Sequence, residues 1–157
     1  MKDISIKVPV TEARVDELTP AEQELVSLAR RAYLRSYAPY SHFHVGAAIL
    51  LDNGEIVTGS NQENAAYPSG TCAERTAAFY AHSTYPEARF KAIAIAARGT
   101  DGEEIELPVA PCGACRQVLL EYEKLAEADV KVILVGRDRV YILPSVRSTL
   151  PLAFSEF

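Results

Sequence analysis

The sequence predicts an α/β fold, a three-layer α-β-α sandwich built on a mixed five-stranded sheet. Three observations carry that expectation. Short apolar runs of strand length alternate with helical stripes, a hairpin signal opens the strand series, and no repeat or low-complexity tract interrupts the chain. At 157 residues, 48% hydrophobic and 24% charged, the chain can bury one sizeable core and gives no reason to expect a second domain beside it.

Ile4, Ile6, Val8 and Val10 alternate with polar or small residues, a pattern that suits an edge strand or an arm on a neighbouring subunit as well as a disordered tail. Residues 1–19 are therefore read as an N-terminal extension and 20–157 as the main domain. Thr19 and Pro20 provide a cap and a first-turn proline. The stripe Leu25, Leu28, Ala29, Ala32 and Tyr33 then predicts an amphipathic helix over Ala21 to Tyr37. Val45 to Leu51 and Glu55 to Gly59 flank the turn sequence Asp52-Asn53-Gly54 and read as a hairpin. A helix follows at Cys72 to Ser83, a buried strand at Phe90 to Ala97 and a second helix at Gly113 to Leu125. Strands at Val130 to Val135 and Val140 to Leu143 complete the series.

Composition narrows the function classes. Runs such as Val45 to Leu51 are too short to span a bilayer, and Met1-Lys2-Asp3-Ile4-Ser5 lacks the apolar core of a signal peptide, so a cytoplasmic protein without membrane contact is expected. With a net charge of -5 and no basic stripe, the surface would repel a phosphate backbone, which argues against polymeric nucleic acid as a partner. Three cysteines cannot pair completely, and a reducing cytoplasm disfavours disulfides.

All three lie in two segments, Cys72-Ala73-Glu74-Arg75 and Pro111-Cys112-Gly113-Ala114-Cys115. A C-x-x-C pair with one distant thiolate gives three ligands and leaves the fourth position of a tetrahedral zinc open for water, the arrangement of a catalytic site. Each segment lies where a helix begins, and the helix dipole and free amides there favour thiolates. Two residues from Cys72, Glu74 would not share its face on a regular helix, so Cys72 is placed in an irregular first turn with Glu74 reaching the water. Three thiolates outweigh the charge of Zn²⁺, and Arg75 is the nearby group that can draw charge from sulfur. Two other readings stand beside this one: a structural zinc closed by His42, His44 or His82, and a redox dithiol, which leaves Cys72 and Glu74 unexplained.

From about Leu25 to Phe154 the sequence resembles the cytidine deaminase family. The resemblance rests on four motifs in order: Tyr40-Ser41-His42-Phe43-His44-Val45-Gly46-Ala47-Ala48, Asn61-Gln62-Glu63-Asn64-Ala65-Ala66-Tyr67, Cys72-Ala73-Glu74-Arg75-Thr76-Ala77 and Pro111-Cys112-Gly113-Ala114-Cys115-Arg116-Gln117. It implies a cytidine deaminase-like fold, one Zn²⁺ per chain on Cys72, Cys112 and Cys115, and Glu74 as proton shuttle, a chemistry that general accounts of zinc deaminases describe. It further implies that Ala73 offers its amide to the base carbonyl, Phe43 packs on the pyrimidine, and Asn61 and Glu63 hold the ribose hydroxyl. The implied reaction is deamination of free cytidine and deoxycytidine in pyrimidine salvage. The ending Leu150-Pro151-Leu152-Ala153-Phe154 resembles a family tail whose aromatic, here Phe154, enters a neighbouring subunit's site, which implies a homotetramer. Ser60 stands where a cysteine is common in the family, the stretch Gly99 to Pro108 is long, and the N-terminus is extended. A deaminase of polynucleotide bases or of a nucleoside-like antibiotic, and a non-enzymatic zinc module, are the competing function classes.

Overall fold

Thr19 and Pro20 start helix α1, Pro20–Tyr33, by reciprocal capping: Thr19 Oγ1 accepts the Glu22 amide at 3.4 Å, and Glu22 Oε2 accepts the Thr19 amide at 3.0 Å. The structure, a computed structural model, describes residues 1–155; the last two residues of the segment 20–157 lie outside it. The helix stops at Tyr33 and not at Tyr37. Ser36 Oγ donates to the Tyr33 carbonyl at 2.7 Å, and the Tyr37 amide turns away to donate to the Asn61 carbonyl at 3.0 Å. The apolar stripe itself ends at Tyr33, and long-range backbone pairing, not further helix, takes up Tyr37.

Strands β2, His44–Leu51, and β3, Ile56–Ser60, form the expected hairpin, with Gly54 at φ 88° where the turn needs positive φ. Helix α2, Ala73–Thr84, leads to β4, Phe90–Arg98. Helix α3, Gly113–Ala126, then crosses to β5, Lys131–Val135, and β6, Val140–Leu143, follows. The sheet has six strands and not five: β1, Thr11–Ala13, pairs antiparallel with β6, Ala13 facing Val140 and Thr11 facing Ile142. Its three residues carry no apolar alternation of their own, because they take the register of the strand beside them. The alternating residues Ile4, Ile6, Val8 and Val10 precede that strand and are exposed.

In the strand order β1-β6-β5-β4-β2-β3 only β4 and β5 run parallel, which requires the α3 crossover between them. Side-chain alternation along β4 divides the core. Ile93 and Ile95 join α2 and α3 on one face, while Ala92, Ala94 and Ala96 join Leu25, Val26 and Ala29 of α1 on the other. The three layers follow. Gly46 and Gly59 bring the hairpin close to its helices: a Cβ on Gly46 would lie 2.1 Å from the Ala29 carbonyl oxygen, and one on Gly59 would lie 2.4 Å from the Ala77 amide. Gly46→Ala is expected to cost about 3 kcal/mol, because only backbone movement could make the space. A urea midpoint equal to that of the unaltered protein would refute this. No helix among the described residues is long and apolar enough to cross a membrane.

Candidate metal centre and adjoining cleft

Two helix N-termini converge on one point. Cys72 is the N-cap of α2 (φ -75°, ψ 157°) and Cys112 the N-cap of α3 (φ -65°, ψ 163°), both in extended backbone and neither spending its side chain on a capping bond. The sulfurs therefore stand, unused for capping, at the positive ends of two helices, whose first-turn amides have no partner within the helix. Cys115 sits in the first turn of α3, and its Sγ lies 3.5 Å from that of Cys112. All three ligand atoms lie within 4.8 Å of one another, the group of His, Cys, Asp or Glu side chains among the described residues that could share a metal ion. Tetrahedral zinc with Zn–S bonds of about 2.3 Å sets its sulfurs about 3.8 Å apart, so the three thiols fit such an ion with small adjustment. Burial is graded, with Cys115 buried, Cys72 half-buried and Cys112 exposed.

The charged groups around the sulfurs fit the same chemistry. Arg75 Nη2 donates to Cys72 Sγ at 3.6 Å, and Arg75 Nε is buried beside the cluster with no hydrogen-bond partner among the described residues. The Cys72 thiol is pulled down to about 5, chiefly because the Cys115 thiol donates to it, with the Arg75 guanidinium adding to the effect. Cys115 moves the other way, as the donor to that thiolate and by burial. Glu74 is 5% exposed, and burial pushes its carboxyl above the ordinary range, with the Cys72 thiolate adding to the shift. Cys72 outside the first turn and Glu74 inside it reconcile a two-residue spacing with one shared site. Ala73, wholly buried, is the first residue of α2, so its amide is among those at the mouth of the helix.

A cleft of about 410 Å³ opens from Cys72 and Arg75 and runs past Asn61 and Glu63 to Tyr40 and Tyr67. The two tyrosine rings meet edge-on with centroids 6.4 Å apart. Glu63 accepts the amides of Tyr40 at 2.9 Å and Ser41 at 3.2 Å, and the Ser41 hydroxyl as well. The Ser41 hydroxyl is the main reason its carboxyl falls below the ordinary range. Asn61 uses its amide to fix the start of β2: Oδ1 accepts the Val45 amide at 2.8 Å, and Nδ2 donates to the Phe43 carbonyl at 2.9 Å. One N–H and one lone pair of that side chain remain for a ligand.

Cys72, Cys112, Cys115, Glu74, Ala73 and Arg75 are thus together, and Asn61 and Glu63 line the adjoining cleft. Phe43 is half-buried just before β2 and is not part of the lining within a single chain. Phe154 lies on the C-terminal segment, 69% exposed as a residue, also outside the lining. No histidine joins the sulfurs; His44 hydrogen-bonds Ser36 and His82 packs by Tyr122. Tyr40, Ser41 and Tyr67 are cleft residues that sequence reasoning left without a role, although each sits in a quoted motif beside a residue that was given one.

A family model described as the cytidine and deoxycytidylate deaminase zinc-binding region matches residues 19–129. A cytidine deaminase of Halalkalibacterium halodurans is 43% identical over 133 residues, covering 85% of this chain and 93% of that protein. One from Sporosarcina psychrophila is 40% identical over 134 residues, covering 85% and 91%. Among solved structures, the cytidine deaminase of Burkholderia pseudomallei superposes with a TM-score of 0.71 at 38% identity, covering 87% of this chain and 100% of that one. That of Mycobacterium tuberculosis gives 0.68 at 35% identity, covering 86% and 98%.

Proposed function

The chain belongs to the cytidine and deoxycytidylate deaminase family, and from that membership we propose that it removes the C4 amino group of free cytidine and deoxycytidine by hydrolysis, giving uridine or deoxyuridine and ammonia for pyrimidine salvage. The observation that carries this reading is the convergence of three cysteines on two helix N-termini, with the buried carboxyl of Glu74 beside them. Cys72, Cys112 and Cys115 would hold a zinc ion, which would supply Lewis acidity for a water nucleophile at neutral pH. Glu74 accepts a proton from the attacking water and delivers it to N3 of cytosine, which makes C4 electrophilic. After the water oxygen adds at C4, Glu74 carries a second proton to the amino nitrogen, which departs as ammonia while the C4 carbonyl forms. Its buried setting suits a group that must be proton donor and acceptor in turn.

The other residues bind and orient. Arg75 draws charge from Cys72, the Ala73 amide meets the base carbonyl, and Phe43 packs on the pyrimidine. Asn61 and Glu63 hold the ribose hydroxyl. Glu63 is supported for this by the three donors that fix its carboxylate at the cleft. A carboxylate on that hydroxyl leaves no place for a phosphodiester, which favours the free nucleoside over a polynucleotide. Phe154 completes the site of a neighbouring subunit in a homotetramer. Residues 20–157 carry catalysis, residues 1–19 extend that domain, and three free thiols suit work in the cytoplasm.

Absorbance-monitored turnover tests the reading. Cytidine and deoxycytidine are expected to react, CMP, free cytosine and adenosine to react poorly, and a zinc chelator to abolish turnover. Inertness towards both nucleosides with one zinc held per chain would overturn it.

A further inference from the structure

Helix α3 carries two metal ligands at its start and grips the C-terminal segment along its length. Arg116 Nη1 donates to the Thr149 carbonyl at 2.8 Å, Gln117 Nε2 to the Phe154 carbonyl at 2.9 Å, and Lys124 Nζ to the Ser155 carbonyl at 2.9 Å. At the root of that segment lies a carboxylate that the deamination chemistry does not use. Glu123 is 7% exposed, and its two oxygens accept the amides of Val146 at 2.6 Å, Arg147 at 2.9 Å and Val130 at 3.0 Å. Val146 is the N-cap of the short 3-10 helix Arg147–Thr149, so two of these bonds set the direction in which the chain leaves the end of β6. The third ties the same carboxylate to the residue preceding β5. Amide bonds to a buried carboxylate are the strong, directional kind, and they make the segment's departure a fixed feature of α3.

We infer that Glu123 is a positioning residue for substrate binding: it locks the root of the C-terminal segment to the helix that bears Cys112 and Cys115, and so aims Phe154 at the site it completes. This rests on the reading of Phe154 as a residue that completes a substrate site. Glu123→Gln preserves the shape but places an NH2 group where an oxygen accepts, so two donors face each other across one of the three bonds.

Steady-state kinetics on cytidine with E123Q, F154A and the double variant test the inference. E123Q is expected to raise KM by about tenfold, the scale of one misplaced aromatic contact, with kcat within about twofold and zinc still one per chain. The double variant is expected to match F154A alone, because a residue that acts only through Phe154 has nothing left to position. Independent effects in the double variant, or a fall in kcat at fixed KM, would overturn the role of Glu123. A wild-type KM for F154A would sink the reading of Phe154, and this proposal with it, while leaving the deaminase assignment standing. Should E123Q not fold, E123D, one methylene shorter and still an acceptor, carries the same comparison: a KM between those of the parent and F154A supports the role, and a KM change that persists at full size in the F154A background refutes it.

Discussion

Glu74→Gln is expected to retain one zinc per chain and to lose about a thousandfold or more in kcat on cytidine. Glutamine nearly matches the volume of glutamate in a buried first turn, so the packing of α2 against the sheet and the three sulfurs stay in place. What disappears is the capacity to accept and release a proton. General acid–base catalysis is worth about 10²- to 10⁴-fold for one positioned group, and in the proposed mechanism both proton transfers pass through this residue. Metal analysis and turnover on the same preparation check the two halves of the expectation together. A variant with full zinc and more than about a tenth of the parent's kcat would remove Glu74 from the mechanism, and one without zinc would make it a structural residue.

Cys115→Ala is expected to abolish both zinc retention and turnover, and to lower thermal stability more than Cys112→Ala does. Either change leaves two thiolates, too few to hold the ion against a chelator, so activity falls to background for both. Their stability costs differ because Cys115, in the first turn of α3, is wholly buried, whereas Cys112, one turn earlier at the cap, is exposed. Removing a buried sulfur leaves a void about the size of a large atom in addition to the lost ligand. Unfolding temperatures with and without added zinc separate the contributions. The parent should gain with zinc and both variants should gain nothing, the alanine at 115 starting lower. Equal stabilities without metal would contradict the assignment of Cys115 to the core.

The three-cysteine cluster was legible in the sequence because thiols are scarce in it and each sits within a helix-start signal, so local chemistry and spacing sufficed. The two-residue spacing placed Cys72 in an irregular first turn; the structure instead puts it one step earlier, as the extended N-cap before Ala73, with Glu74 within the first turn. The sixth strand was not legible, since Thr11, Glu12 and Ala13 become a strand only through pairing with β6 at the far end of the chain. Asn61 was legible as a cleft residue through a motif, but its hold on Phe43 and Val45 is a property of two strands brought side by side. Glu123 is the extreme case. Its acceptors serve amides 7, 23 and 24 residues away, and a glutamate on a helix, here with Glu121 two residues before it, otherwise reads as a solvated surface group.

Gly46 and Gly59 stand on neighbouring strands, one against the backbone of α1 and the other against that of α2, so the hairpin touches both helix layers directly. That direct contact makes the hairpin a mechanical reference for the start of α2. Where side chains separate a helix from a sheet, rotamer changes can absorb a disturbance; where backbone touches backbone, any displacement passes on undiminished. The start of α2 carries Cys72 and Glu74, so a single methyl group added at Gly59 would shift the proposed ligand and the proposed proton carrier, neither of which it touches. Across a library of variants, the positions least tolerant of change should therefore include two that have no side chain at all.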